Sequence, residues 1–386
     1  MGMRTRLVNA TVVLRDRVVH GGSVVIEDGC IAAVCDDSGG GAVVDLHGDW
    51  LIPGLVDLHC DALEKEVEPR PGIRFPLPFA VANADKRNAA AGITTVYHAL
   101  SFAQDELGIR DVSVAGDIVR AVHGFRPHGL VDNRTHLRYE ITDPAGAPVI
   151  AALIEAGEVE LVSFMDHSPG QGQYKTIEAY RDYLVKTYHR APADAERMAR
   201  EKIATRADAM PRVEVLARCA RQRGVRLASH DDDDENKLRS MAALGVSVAE
   251  FPVTIAAAAL ARSVGIATVF GAPNVVRGGS QSGAVKAADA VMAGVADCLC
   301  ADYAPAAMLA AVFRLPGVCG VSLPDAVAMA SANPAQAVGL TDRGSIEVGC
   351  RADLVAVREI AGCPQATMTW CRGRVVHRAD YDRPVG

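Results

Sequence analysis

Short stretches of alternating apolar and polar residues open the chain: TRLVNATVVL, SVVIEDGCIAAV and AVVDLHG, all within residues 5–50 and broken by Gly-Gly, Asp-Gly and a glycine run at 39–41. A period of two punctuated by turn residues is the signature of strands and hairpins. RADLVAV, MTWC and GRVVH repeat the style near the C-terminus, after a helical segment over Pro324–Val338. The two ends are therefore expected to pair into one small β-sandwich. Between them the pattern changes to compact apolar runs that end near His59, Ala99, Glu140, His167, His230, Glu250, Gly271 and Asp302, with helical patterns such as Asp111–His123, Arg181–Arg223 and Ala284–Ala293 in the intervals. Eight apolar strands alternating with helices predict an α/β fold, a (β/α)8 TIM barrel. The expected division is 1–50 for the first part of the β-sandwich, 51–342 for the barrel and 343–386 for the rest of the sandwich.

Chemistry in such a barrel sits at the C-terminal ends of the strands, so the residue that closes each apolar run matters most. The stretch LIPGLVDLHCDALEKE (51–66) ends its run in His59 and Asp61, which a strand's period of two places on one side. Glu140, His167, His230 and Asp302 close further runs. One histidine at a strand end is usually a satisfied structural residue. Three histidines and three acids at matching ends read as a metal site: imidazole with carboxylate suits Zn, Mn or Fe, and a carboxylate such as Glu140 can bridge two ions. The acidic run Asp231–Glu235 follows His230 directly, a run that by itself reads as a solvated loop.

Length and composition allow this architecture and remove others. At 386 residues and 49% hydrophobic content the chain can bury a barrel core of roughly 250 residues plus a second domain. A net charge of −7 and a pI near 5.9 give no general footprint for nucleic acid or an anionic membrane, so an anion must be held by a local cluster of cations and N–H groups. Ten scattered cysteines without a C-x-x-C read as reduced core thiols. With no apolar leader and no run of eighteen apolar residues, a cytoplasmic enzyme is expected.

The stretches PGLVDLHCDALEKEVEPRPGIRFP, AAGITTV, HLRYE, LVSFMDHSPGQGQY, LASHDDD, AEFPVT, GAPNVVRGGSQSG, ADYAP, NPAQAVGL and DRGSIEVGCRADLV resemble the amidohydrolase superfamily. Within it they resemble the alpha-D-ribose 1-methylphosphonate 5-triphosphate diphosphatase family of the carbon-phosphorus lyase pathway; MDHSPGQ and APNVVRGGS are the narrower marks. Where that family is expected to read HTDN, GGSHSGN and DYYP, this chain carries Ala62, Gln281 with Ala284, and Ala304. The superfamily pattern puts histidines on strands five and six, whereas here His167 and His230 close the fourth and fifth and Glu250 the sixth. No lysine closes a strand where many relatives carry a carboxylated bridging lysine, which leaves Glu140 as the substitute.

The resemblance implies a metal-dependent hydrolase that cleaves the triphosphate to the 5-phosphate and pyrophosphate with metal-activated water. It implies two divalent ions per chain, zinc foremost with Mn, Fe or Mg as alternatives, held by His59, Asp61, Glu140, His167, His230 and Asp302. Asp302 would double as proton acceptor, assisted by His230 and Asp231. Phosphates would meet Arg277, Gly278, Gly279 and Ser280 after the seventh strand, Lys65, Arg70 and Arg74 after the first, and Lys175 beyond SPGQGQ. A small phosphorylated substrate, a functional link to carbon-phosphorus lyase components and a homodimer fit this reading. The rival readings are a deaminase or cyclic-amide hydrolase on the same metals, and a scaffold without catalysis.

Overall fold

The computed structural model describes residues 4–36, 40–103, 111–170, 176–188, 191–280 and 284–381. Lys175 and Gln281 lie outside them. Five N-terminal strands, β1 (Arg4–Val13), β2 (Val18–Glu27), β3 (Cys30–Val34), β4 (Ala42–Asp45) and β5 (Trp50–Pro53), belong to one mixed sheet. Asp28 and Gly29 join β2 to β3 with φ of 50° and 81°, the paired positive angles of a type I′ hairpin turn that Asp-Gly favours. The chain then runs through the barrel strands β6 (Leu55–Cys60), β7 (Ile93–Phe102), β8 (Asp132–Glu140), β9 (Leu161–Met165), β10 (Arg226–His230), β11 (Val248–Glu250), β12 (Ala267–Gly271) and β13 (Cys298–Cys300). It returns to the first sheet as β14 (Leu354–Ile360), β15 (Cys363–Cys371) and β16 (Arg374–Arg378). The two ends meet where β14 pairs antiparallel with β5, Leu354 opposite Pro53 and Val357 opposite Trp50. Leu7, Val24, Ile26, Leu51, Leu354 and Trp370 share one buried cluster over that sheet.

Leu51, Ile52 and Pro53, which the apolar run suggested as the start of the barrel strand, thus sit in the mixed sheet. The crossing is at Gly54, where any Cβ would collide with the side chain of Thr94. Strands β6 to β13 are parallel and adjacent in chain order. The barrel closes between its last and first strands, where Asp302 N–H donates to His59 O (2.8 Å) and Asp61 N–H donates to Asp302 O (2.9 Å). Val56, Leu58, Tyr97, Leu161, Val248 and Val269 fill its interior. Between the pairs Asp57–Val96 and Cys60–His98, two residues of β6, Leu58 and His59, face one of β7, Tyr97. Leu58 packs in the interior with Val56, as alternation requires, and the bulge re-aims the residue after it, His59, at the barrel mouth.

Helices cover the barrel by burying one face each. Asp111 caps helix Val112–Phe125 by accepting from the N–H groups of Ser113 and Val114, and Ala115, Ile118, Val119 and Val122 form its buried stripe. The pattern over Arg181–Arg223 is three helices rather than one: Ile177–Tyr188, Pro192–Arg206 and Ala209–Gln222. Pro192, without an N–H, starts the second helix, where that donor would be unused anyway. Only the third lays Val213, Leu216, Ala217 and Ala220 on the barrel core; the first two pack on each other through Tyr180, Leu184, Ala195 and Ala199. The segment Pro324–Val338 likewise divides into Leu323–Met329 and Ala332–Ala337, and Ala284–Ala293 shortens to Ala287–Met292. All ten cysteines are unpaired thiols, but only Cys60, Cys298, Cys300 and Cys371 are buried; Cys30, Cys35 and Cys363 are exposed, so the expectation of core thiols holds for part of the set. Among the described residues no helix is long and apolar enough to cross a membrane.

Candidate metal centre

At the mouth of the barrel the bulge on β6 presents His59, whose Nδ1 donates to Glu250 Oε1 at 2.8 Å from the end of β11. Both side chains are almost fully buried. Asp57 fixes the strand beneath by accepting from the N–H groups of His59 (3.1 Å) and Ala301 (3.0 Å). His136 lies edge-on to His59 but is spoken for: Nδ1 is 3.1 Å from Leu58 O and Nε2 2.9 Å from Ser163 Oγ. Burial pushes His136 down to about 3, so it is a neutral structural imidazole.

Across the mouth, His230 closes β10, and His167 follows β9 by two residues. His167 Nδ1 meets Glu140 Oε2 at 3.1 Å, and its Nε2 is 3.8 Å from Asp231 Oδ2. Glu140 also accepts from Thr142 Oγ1 (2.6 Å) and pairs with Lys202 Nζ (3.5 Å), which comes from the helix Pro192–Arg206. Burial alone would raise the Glu140 pKa, but Lys202 and His167 hold it well below the carboxylate range. Lys237 Nζ donates to His230 O (2.7 Å) and Asp231 O (3.3 Å) and pairs with Asp232 (3.2 Å), tying the turn after β10 in place. Burial would raise Asp231 too, yet the neighbouring His230 brings it to about 2.

Asp61 and Asp302 meet His59 at the seam of the barrel. Burial, reinforced by the charge of Asp61, raises Asp302 to about 7, and burial raises Asp57 to about 7 as well. Asp231, Phe251 and Asp302 each follow a strand with φ of 52° to 54°. Each keeps its N–H in the ladder, donating to Glu250 O, Val269 O and His59 O respectively. The Phe251 ring packs 5.0 Å from that of His59 and 5.3 Å from that of His230.

Three overlapping donor sets result, each with ligand atoms within 4.8 Å of one another: His59, His230 and Glu250; His167, His230 and Asp231; His59, Asp61 and Asp302. Among the described residues His230 Nδ1, Asp231 Oδ2 and Glu250 Oε2 are buried with no hydrogen-bond partner. Buried acceptors left unpaired among crowded carboxylates are costly unless a cation joins them, so these residues fit a divalent ion. Of the residues predicted as ligands, His59, Asp61, His167, His230 and Asp302 come together. Glu140 stands in none of the three sets, because Thr142, His167 and Lys202 occupy its carboxylate. Glu250 and Asp231 enter instead; the signal for Glu250 was its place at the end of the sixth strand.

The residues expected to meet phosphate divide. Gly278 and Gly279 both donate their N–H to Asn274 O, at 3.0 and 3.2 Å, because Gly278 (φ 75°) ends the short helix Ala272–Arg277. Those two donors are spent on the cap and not offered as a cradle. Arg277 is exposed and donates to Tyr303 OH at 3.4 Å, and Ser280 follows it. Lys65 lies exposed on helix Ala62–Val67, Arg70 is exposed, and Arg74 donates to Glu68 at 3.1 Å. Arg138, two residues before Glu140 on β8, turns toward Asp61 Oδ2 (3.9 Å) and His230 Nε2 (3.4 Å).

The Amidohydrolase family model matches residues 78–377. The alpha-D-ribose 1-methylphosphonate 5-triphosphate diphosphatase of Escherichia coli (strain K12) is 36% identical over 381 residues, 95% of this chain and 99% of that one. In fold the chain is similar to a 5-methylcytosine deaminase from Klebsiella pneumoniae (TM-score 0.65, 15% identity, 99% and 100% of the two chains). It is also similar to the N-acetylglucosamine-6-phosphate deacetylase from Pasteurella multocida (TM-score 0.63, 14% identity, 97% and 99%). An eight-stranded parallel barrel with histidines and carboxylates gathered at its mouth, a mixed sheet built from both chain ends and a family match over most of the length lead to one assignment: the chain belongs to the amidohydrolase family.

Proposed function

We propose that this hydrolase cleaves alpha-D-ribose 1-methylphosphonate 5-triphosphate at the anhydride between its α and β phosphates, giving the 5-phosphate and pyrophosphate. The observation that carries the reading is the 36% identity, end to end, with the E. coli enzyme of that name. The donor sets support a divalent requirement, and we place zinc first, with Mn, Fe or Mg as alternatives and two ions as the expected number. His59, His230, Glu250, Asp61, Asp302, His167 and Asp231 are the residues that would hold the metal. A divalent ion there supplies Lewis acidity, making water acidic enough to ionise near neutral pH and drawing charge from a phosphoryl oxygen.

The chain's own groups do the rest. Asp302, at the seam beside His59 and Asp61, takes the proton from the attacking water and returns it to the leaving oxygen. His230 is positioned for the same traffic by Asp231, whose Oδ1 lies 3.5 Å from its Nδ1. Arg277, Ser280, Lys65 and Arg70 are the proposed contacts for the outer phosphates. The site of action is the cytoplasm.

The reading is tested by incubating metal-loaded protein with a ribose 5-triphosphate and following products by phosphorus NMR. Pyrophosphate and the 5-phosphate should appear in equal amounts. Release of ammonia from cytosine or aminopurines, or opening of a cyclic amide, at a greater kcat/KM would replace this reading with carbon–nitrogen hydrolysis.

A further inference from the structure

We infer that Arg138 is the cation that receives the phosphoryl group at the reacting centre, and that it makes this barrel mouth a site for phosphoric anhydrides. The inference rests on the diphosphatase reading above. Arg138 is 6% exposed, on β8, between the donor set of Asp61 and Asp302 and that of His230. Its Nε and Nη1 have no hydrogen-bond partner among the described residues. Its two neighbours are both distant: 3.9 Å to Asp61 Oδ2 is too long for a hydrogen bond, and 3.4 Å to His230 Nε2 is a weak one.

A buried guanidinium with idle donors is expensive, and the long ion pair with Asp61 leaves Nε and Nη1 without an acceptor. Glu140, two residues on, has Lys202, His167 and Thr142 and needs no further counter-charge. The guanidinium fork matches two oxygens of one phosphoryl group and carries the opposite charge. An amide carbonyl presents a single neutral acceptor and would leave most of the fork unused. Arg277 and Arg74 are poorer candidates for this role, being exposed and already donating to Tyr303 and Glu68.

The test compares wild type, Arg138→Gln and Arg138→Lys, each loaded with metal and assayed for metal content by mass spectrometry, for binding of inorganic pyrophosphate by calorimetry, and for kcat/KM on a ribose 5-triphosphate. Losing a charge-assisted contact should weaken pyrophosphate about 10- to 100-fold in Arg138→Gln, with metal content unchanged. Arg138→Lys, which keeps the buried charge and lacks the fork, should recover part of that loss and remains informative if the glutamine variant does not fold. Unchanged pyrophosphate affinity in both variants, while wild type still cleaves the triphosphate, would overturn the role of Arg138 and leave the diphosphatase reading intact. A parallel fall in metal content would also overturn it, making Arg138 a positioning residue for His230 and Asp61. If wild type neither binds pyrophosphate nor cleaves the triphosphate, both readings fall.

Discussion

Phe251 holds a backbone conformation, φ 52°, that a bulky residue adopts only at a cost of about 1–3 kcal/mol. It does so while its ring backs His59 and His230, so local strain and imidazole placement are linked at one residue. Glu250, just before it, holds the other side of His59. A carboxylate on the far nitrogen of a ligating histidine typically contributes 10- to 100-fold to metal affinity, a lower bound here because Glu250 also belongs to a donor set through its unpartnered Oε2. Glu250→Ala should therefore weaken metal at least that much in a competition titration with a chelator, whereas Glu140→Gln should weaken it far less. Equal losses would return Glu140 to the centre. His59, Asp61, His230 and Asp302 were legible in the sequence because each closes or follows an apolar run. Glu250 was seen as a strand end but not as a partner of His59, since nothing local says what a carboxylate faces 191 residues away. Arg138 carried no signal of its own for a related reason: spacing along a strand shows which residues share a side, not that Asp61 from another strand lies 3.9 Å away.

Among elements, the helix Pro192–Arg206 connects an outer layer to the site. It reaches inward with Lys202 to Glu140 and with Arg206 Nε to Asp166 Oδ2 at 2.7 Å. Both acceptors are buried, but Arg206 is exposed and Lys202 is not, so the pair with Glu140 is the one shielded from water. Lys202→Met should leave Glu140 short of its cation and destabilise the protein by about 1–3 kcal/mol. Hydrogen exchange should localise the loss, with faster exchange across residues 192–206 and little change in β10. Uniform acceleration would mean that the helix is not held at this point. The sequence pattern showed this region as helical but missed its breaks, because exposed i,i+4 pairs such as Arg197–Glu201 and Arg200–Glu196 continue a polar face up to each end. The barrel strands were easier to read, each buried on both sides and bounded by turns.

Over the whole molecule, Asp132 joins the barrel to the mixed sheet. At the start of β8 it accepts from Arg343 Nη1 (2.6 Å), pairs with Arg134 (3.1 Å) and lies 3.6 Å from Arg351, which in turn pairs with Asp353 at 2.9 Å beside β14. Burial would raise Asp132, but these arginines bring it to about 2 from an ordinary 3.8. A depressed carboxyl stabilises the fold above its unfolded pKa and loses that contribution as pH falls toward its folded value. Asp132→Asn should therefore cost about 2 kcal/mol at pH 7. The gap between variant and wild type in denaturant unfolding should close between about pH 4 and pH 2. A gap that stayed constant over that range would assign the effect to packing.

The closure of the barrel has a further consequence, in the order of synthesis. His59 emerges early, but its neighbour across the seam is Asp302, and the two bonds that join them are main-chain bonds of the last parallel pair. A nascent chain still short of residue 302 carries His59 and Asp61 on an open sheet edge, without the third member of their set. Metal that arrives before residue 302 can meet the His59, His230 and Glu250 set and the His167, His230 and Asp231 set, but not the set that Asp302 completes across the seam. Full loading therefore belongs to the finished barrel, and a truncation that removes β13 should yield a protein that cannot be rescued by adding metal afterwards.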